Sequence, residues 1–253
     1  MTDYEEITDS SYNKGRYSGD GMSYDKGGSV MTDTRSLLAS AMTKVYTWMM
    51  VALLVTTGVA LYTVSSPRLL QLIYGNSAVI WILFIAELGL VLGLSAGLQK
   101  IKQSTAILLF LIYAALNGLV LSSIFFAYDI GSIYSAFAAS ALTFGVMSLV
   151  GALTKRDLSG LGGILFMGLI GVIIASVINI FWSNDILDSV ITYIGVFIFV
   201  GLTAYDTQKI KQMMSMADSQ SVGKVAIYGA LSLYLDFINL FLYILRLFGR
   251  NRN

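Results

Sequence analysis

Seven long apolar runs separated by short polar breaks dominate the chain: Trp48–Val64, Val79–Leu98, Thr105–Ala127, Ile133–Leu153, Leu161–Phe181, Val190–Tyr205 and Val225–Leu245. Most hold about 20 residues, enough as helices to cross roughly 30 Å of hydrocarbon at about 1.5 Å per residue. The sixth is shorter and is expected to continue past Asp206. Loops this short, joining runs with almost no polar face, do not suit the buried helices of a soluble domain. The pattern predicts an all-α integral membrane protein, with a seven-helix transmembrane domain over residues 36–253. Residues 1–35 break the pattern, with seven acidic and four basic residues and few aliphatics. They are expected to form a disordered polar N-terminal tail. Tyr4, Tyr12, Tyr17 and Tyr24 would be the contact points if that tail binds a partner.

Composition sharpens this picture. The chain is 56% hydrophobic and 12% charged, whereas soluble domains carry about 25% charged residues. A net charge of +1 gives no electrostatic reason for a nucleic-acid partner. The absence of cysteine excludes disulfides and thiolate metal sites, and the absence of histidine removes the usual general base and zinc ligand. The polar N-terminus lacks the pattern of a signal peptide.

Loop charge is one-sided. Lys100 and Lys102 follow the second run, Lys155 and Arg156 the fourth, and Lys209, Lys211 and Lys224 the sixth, while the other three loops contribute only Arg68. This bias places the even-to-odd loops in the cytoplasm. Seven spans then put the C-terminus outside, in conflict with Arg246, Arg250 and Arg252. Either that cluster is tolerated there or the last run does not cross fully. An internal echo, GLSAGLQKIKQ from Gly93 and GLTAYDTQKIKQ from Gly201, fits the internal repeats of transporter folds, as well as chance similarity in apolar sequence.

The last run carries the clearest chemistry. Gly229, Ser232, Asp236, Asn239, Tyr243 and Arg246 recur at spacings of three and four, which is one face of a helix. Unpaired polar groups in lipid cost several kcal/mol, so this stripe should face the bundle interior or a wet cavity. Ser232 and Asn239 suit interhelical hydrogen bonding. Asp236 is a functional candidate, because an intramembrane carboxylate is costly to keep for structure alone. Only Glu87 in the second run and Asp206 at the end of the sixth lie similarly. Gly89, Gly93 and Gly97 form a small-residue row on the face of the second run away from Glu87, which suggests an interior helix with protein on both sides. Asp206 and Asp236 lie toward the same membrane side, and two carboxylates in a poorly hydrated place share a proton readily. The pair suits a pH sensor or a calcium site, since carboxylates favour hard cations. Depth is the difficulty, because Asp236 is the deeper unless the sixth helix extends past residue 206. Tyr205-Asp206 is also like the first motif of an intramembrane aspartyl protease, but Leu233, Tyr234 and Leu235 replace the glycines before Asp236, and the sole proline is Pro67. No P-loop, zinc motif, GxSxG or dinucleotide fingerprint occurs. The expectation is a protein without enzymatic activity or cofactor.

LTAYDTQKIK (Leu202–Lys211) together with GALSLYLDFINLFLYILRLF (Gly229–Phe248), and Glu87 in an ELGL context, resembles the Bax inhibitor-1 family over residues 35–250. The resemblance implies a seven-helix bundle with the seventh helix central, surrounded by the other six. The polar stripe of the last run independently supports that centre. The resemblance further implies a pH-sensitive calcium leak with an aspartate dyad as sensor, matched here by Asp206 and Asp236. It also implies a buried pair between Glu87 and Arg246, and a basic latch near the end of the second helix. No arginine stands there, which leaves Lys100 or Lys102 as the candidate latch.

The leading expectation is therefore a calcium leak channel gated by protonation of the dyad, in a bacterial inner membrane, with lipid and calcium ions as its partners. Two rivals remain. One is a non-conducting regulator that binds other membrane proteins, such as a membrane protease. The other is a proton-coupled transporter.

Overall fold

A computed structural model describes residues 26–97, 100–218 and 221–249, with side chains from residue 38 onward. The order is α1 (Lys26–Ser65), α2 (Pro67–Tyr74), α3 (Ser77–Gly97), α4 (Gln103–Leu121), α5 (Ile124–Ala127), α6 (Ile130–Leu153), α7 (Ser159–Trp182), α8 (Asp185–Met216) and α9 (Val222–Phe248). The described residues contain no strand. Seven stretches are long and apolar enough to cross a membrane, and they correspond to the seven apolar runs. Of the polar N-terminal segment, residues 1–25 and their tyrosines lie outside the described residues, while residues 26–35 form the first turns of α1.

Local chemistry sets the breaks. Pro67 opens α2 at a position where the missing N–H is no loss. The Tyr74 hydroxyl at its end lies 2.9 Å from Ser122 Oγ, pinning α2 to the interruption between α4 and α5. The third apolar run is thus one span with a kink at Ser122 and Ser123. Asn184 caps α8 by accepting from the Leu187 N–H at 2.9 Å. The sixth helix does extend, nearly three turns past Asp206 to Met216.

The last helix is the most enclosed. In its most apolar stretch 67% of residues are buried, against 6% for α7 and 11% for α3. It packs against α8, α1, α6 and α4. Tyr234 meets Phe110 and Tyr113 of α4 edge-on and hydrogen-bonds Thr56 of α1 at 2.7 Å. Phe237 meets Phe137 and Phe144 of α6 edge-on. The expected ring of all six helices around it is corrected to four close neighbours. α3 leans chiefly on α4 and α2, and α7 on α8. Both turn broad apolar faces outward, with Ile82, Phe84 and Ile85 exposed on α3 and Ile173, Ile174 and Val177 on α7, so lipid serves those faces as well as protein.

The second span is accordingly not interior. A side chain at Gly89, Gly93 or Gly97 would meet nothing within 4 Å. The opposite face, with Glu87, Leu90, Val91 and Leu94, is the packed one. The two halves of the internal echo thus sit in unlike surroundings, one closing an outer helix and the other deep in α8.

The three basic loops share one end of the bundle. Lys211 Nζ donates to the Ala152 carbonyl at 2.6 Å, and Gly223 lies against Gln103. At the other end Arg246 reaches the start of α8, so α9 runs the length of the bundle beside α8. Arg250 and Arg252 lie outside the described residues.

Candidate functional site

α8 and α9 form an antiparallel hairpin, and the polar stripe of α9 runs along their seam. Its register can be read from side chain to side chain. Gly229 packs on Ile210, Ser232 meets Asp206, Tyr243 lies against Gly195, and Arg246 pairs with Asp188. As one helix ascends the other descends, so residues equally far from the loop meet. The close approach at Gly195 needs a glycine, because a Cβ there would collide with the Tyr243 ring. That ring stacks on Phe199 with centroids 5.8 Å apart, and its hydroxyl is near Ser176 of α7.

The two aspartates occupy this seam. Ser232 Oγ donates to Asp206 Oδ2 at 2.5 Å. Asp236, one turn further along α9, is 4% exposed, and its Oδ2 has no hydrogen-bond partner. It is close enough for the charges of the two carboxylates to interact. The extension of α8 removes the depth mismatch, since Asp206 is enclosed within a helix that continues below it. A buried carboxylate oxygen without a donor is costly when charged.

The cation acting on Asp206 is Lys209, one turn along α8. Its ammonium lies 5.7 Å from the Tyr205 ring centroid and interacts electrostatically with Tyr228 of α9. Lys209 therefore spans the seam beside the dyad. Lys100 and Lys102 are exposed, and the lysine whose charge acts on Asp206 is Lys209 instead. Sequence separation concealed this, because Lys209 reads as one of several loop lysines until α8 is known to continue. On the α6 side, Thr207 Oγ1 lies 3.1 Å from Ser148 Oγ, which lies 2.6 Å from the Tyr46 hydroxyl of α1. Hydroxyls thus continue away from the dyad, a feature that short-range sequence reading does not reveal.

The expected Glu87–Arg246 pair is not formed. Arg246 pairs with Asp188, which also accepts from Asn179 Nδ2 at 3.2 Å. The reason is level and neighbour: Arg246 ends α9 beside the start of α8, whereas Glu87 sits mid-way along α3, an outer helix that packs elsewhere. The pair is also partly exposed, with side chains 41% and 34% accessible. The α8/α9 register alone pointed to Asp188, had it been known. Glu87 faces Tyr113 and Tyr234 electrostatically, and its Oε1 is buried without a partner, as is Asn117 Oδ1. Asn239 is satisfied within its own helix, Nδ2 donating to the Leu235 carbonyl at 2.8 Å.

For calcium the seam offers two carboxylates and a serine hydroxyl. Among the described residues no three acids cluster as a metal site. Calcium takes six to eight oxygens when held firmly, more than these three side chains supply.

A family model described as "Inhibitor of apoptosis-promoting Bax1" matches residues 38–253, which takes in every span and both aspartates. The chain belongs to the Bax inhibitor-1 family. Among the family's relatives, the inner membrane protein YbhL of Escherichia coli K12 is 49% identical over 221 residues, covering 86% of this chain and 94% of that one. An uncharacterised protein of Borreliella burgdorferi is 43% identical over 212 residues, covering 83% and 91%. A membrane protein of Streptococcus pyogenes serotype M3, SpyM3_0260, is 48% identical over 167 residues, covering 66% and 72%. Family membership agrees with the motifs around Asp206 and Asp236, and this member is a multi-pass membrane protein.

Proposed function

We propose that this protein is a calcium leak channel of the bacterial inner membrane, gated by protonation of Asp206 and Asp236 acting as one unit. The observation that carries the reading is the seam itself: two acids on adjacent helices, one tied to Ser232 and the other buried with an unpartnered oxygen. The inner-membrane assignment follows the name of the Escherichia coli relative.

When the dyad is anionic it attracts Lys209, which also interacts with Tyr228 on α9. The seam is then fastened near the end that carries the basic loops. A proton on the dyad weakens this attraction and favours separation of α8 from α9, so acidification opens the leak. A shift of about 1.4 kcal/mol changes the open-to-closed ratio tenfold, which is within the range of one such interaction.

Calcium efflux from liposomes holding the purified chain, measured with an entrapped indicator across pH 6 to 8, tests the reading. Asp206→Asn and Asp236→Asn should each flatten the pH response, and the double variant should add little, because a coupled pair titrates together. Wild-type pH profiles in both single variants would remove the dyad as sensor. No calcium movement by the wild type at any pH would favour the non-conducting regulator, for which the nearly unburied faces of α3 and α7 offer docking area.

A further inference from the structure

A second polar site lies away from the dyad, where the α6–α7 loop folds against α8. A cavity of about 270 Å³ opens there, lined among others by Leu38, Lys155, Arg156, Asp157, Gln208 and Lys211. The loop is fixed by α8 and does not hang free. Gln208 Nε2 donates to the Arg156 carbonyl at 2.8 Å, and its Oε1 accepts from the Leu158 N–H at 2.8 Å. Lys211 spends one N–H on the Ala152 carbonyl and keeps two donors for another acceptor. Asp157 is the one acid in the lining. It accepts from the Ser159 N–H at 2.9 Å, and the Ser159 hydrogen bonds hold its carboxyl below the usual range. Three cations against one acid leave a positive cavity in a preorganised frame.

Its place decides which anion it suits. Leu153 and Leu161, 76% and 51% exposed, flank the loop on α6 and α7 at the ends of two apolar helices long enough to cross a membrane. Leu38 supplies an apolar wall. An anion entering this cavity while its remainder lies along exposed leucines has to carry acyl chains.

We propose that the cavity between the α6–α7 loop and α8 binds the phosphate headgroup of an anionic phospholipid, through Lys155, Arg156 and Lys211. Basic pockets between transmembrane helices at this level are suited to lipid phosphates. Arginine and lysine fit phosphate oxygens as fork and point charge respectively. Such a lipid would tie α6, α7 and α8 together on the face of α8 turned away from α9, independently of whether the dyad gates a leak.

Native mass spectrometry of the full chain released from detergent tests this, with phosphatidylglycerol and phosphatidylcholine as probes. The wild type should retain phosphatidylglycerol in preference. Lys155→Gln with Arg156→Gln removes two exposed charges and should weaken retention roughly thirtyfold, at about fivefold per charge near a membrane surface. Lys155→Arg with Arg156→Lys should retain it. Lys100→Gln with Lys102→Gln, at the same end of the bundle but outside the cavity, should change it less than about threefold. The proposal is overturned by equal retention of phosphatidylcholine, by no loss in the 155/156 variant, or by an equal loss in the 100/102 variant. Competition by glycerol 3-phosphate as effective as by the lipid would overturn the lipid assignment. Tryptophan-fluorescence melting of each variant checks folding, and Lys155→Gln alone gives a milder version of the same comparison.

Discussion

α7 and α9 are of similar length, yet α7 is the most apolar span and among the least buried, whereas α9 is among the least apolar and the most buried. In water the order would be reversed. Here the solvent is itself apolar, so a helix facing it must be apolar all round, and only a helix shielded by neighbours can carry Ser232, Asp236 and Asn239. High hydropathy thus marks the outside of this molecule, and polarity marks its inside. The same contrast separates Asp236, which shares its seam with a second acid, a serine and a lysine, from Glu87 on the outer helix α3, which interacts electrostatically with Tyr113 and Tyr234.

The strongest way to break the comparison is to put a charge on the outer helix. Ile170 lies mid-way along α7 and is 44% exposed. Ile170→Asp should cost about 3 kcal/mol of insertion free energy. The readout is the inserted fraction of the chain in inverted membrane vesicles, and an unchanged fraction would mean that α7 lines water.

Glycines give the next test. A side chain at Gly151 of α6 would collide with the Ala204 carbonyl of α8, whereas one at Gly171 of α7 would meet nothing within 4 Å. Gly151→Leu should destabilise by about 1–3 kcal/mol through overpacking, and Gly171→Leu should be neutral or slightly stabilising by helix propensity. Thermal melts in detergent, followed by intrinsic tryptophan fluorescence, separate the two.

The two membrane acids differ next. Asp236→Asn should remove a pH response worth about 1.4 kcal/mol, or tenfold in efflux, whereas Glu87→Gln should leave the profile in place. A flattened response in Glu87→Gln would erase the distinction between the outer and inner carboxyl.

Thr56 serves the inner helix from the other side. It accepts from the buried Tyr234 hydroxyl and reaches the Ala114 carbonyl at 2.9 Å. Thr56→Val should cost about 1 kcal/mol in the same melts, and no cost would show that Tyr234 finds another partner.

The smallest effect is at the partly exposed end of the seam. A double-mutant cycle between Arg246→Gln and Asp188→Asn should give a coupling of about 0–1 kcal/mol, as expected for solvent-screened pairs. The cycle between Arg246→Gln and Glu87→Gln should be additive. Coupling in the second cycle and none in the first would restore the buried pair that the family resemblance implied.

Much of the fold was legible along the chain. Each apolar run became a span, because backbone groups in hydrocarbon must close their hydrogen bonds within a helix. The stripe from Ser232 to Arg246 was visible as a face, because helical spacing is local. The partner of that face was less accessible. Arg246 carried a charge that required an opposite one, and Glu87, Asp188 and Asp185 were all on offer in the sequence. The glycine row at Gly89, Gly93 and Gly97 was equally ambiguous, since a small-residue face permits close packing without requiring it.

The sequence by itself determined the solvent of this protein, the number of its spans and the residues too polar to meet lipid, since these follow from transfer free energies and from a period of 3.6 residues. Only the tertiary structure decided who faces whom: Asp188 rather than Glu87 for Arg246, Lys209 rather than Lys100 or Lys102 for the dyad, and α3 on the outside. The physical reason is that one hydrocarbon environment serves every apolar face alike. Neighbour choice then rests on the register of two helices, the room left by a glycine and the depth of one charge relative to another, and none of these is a property of a residue alone.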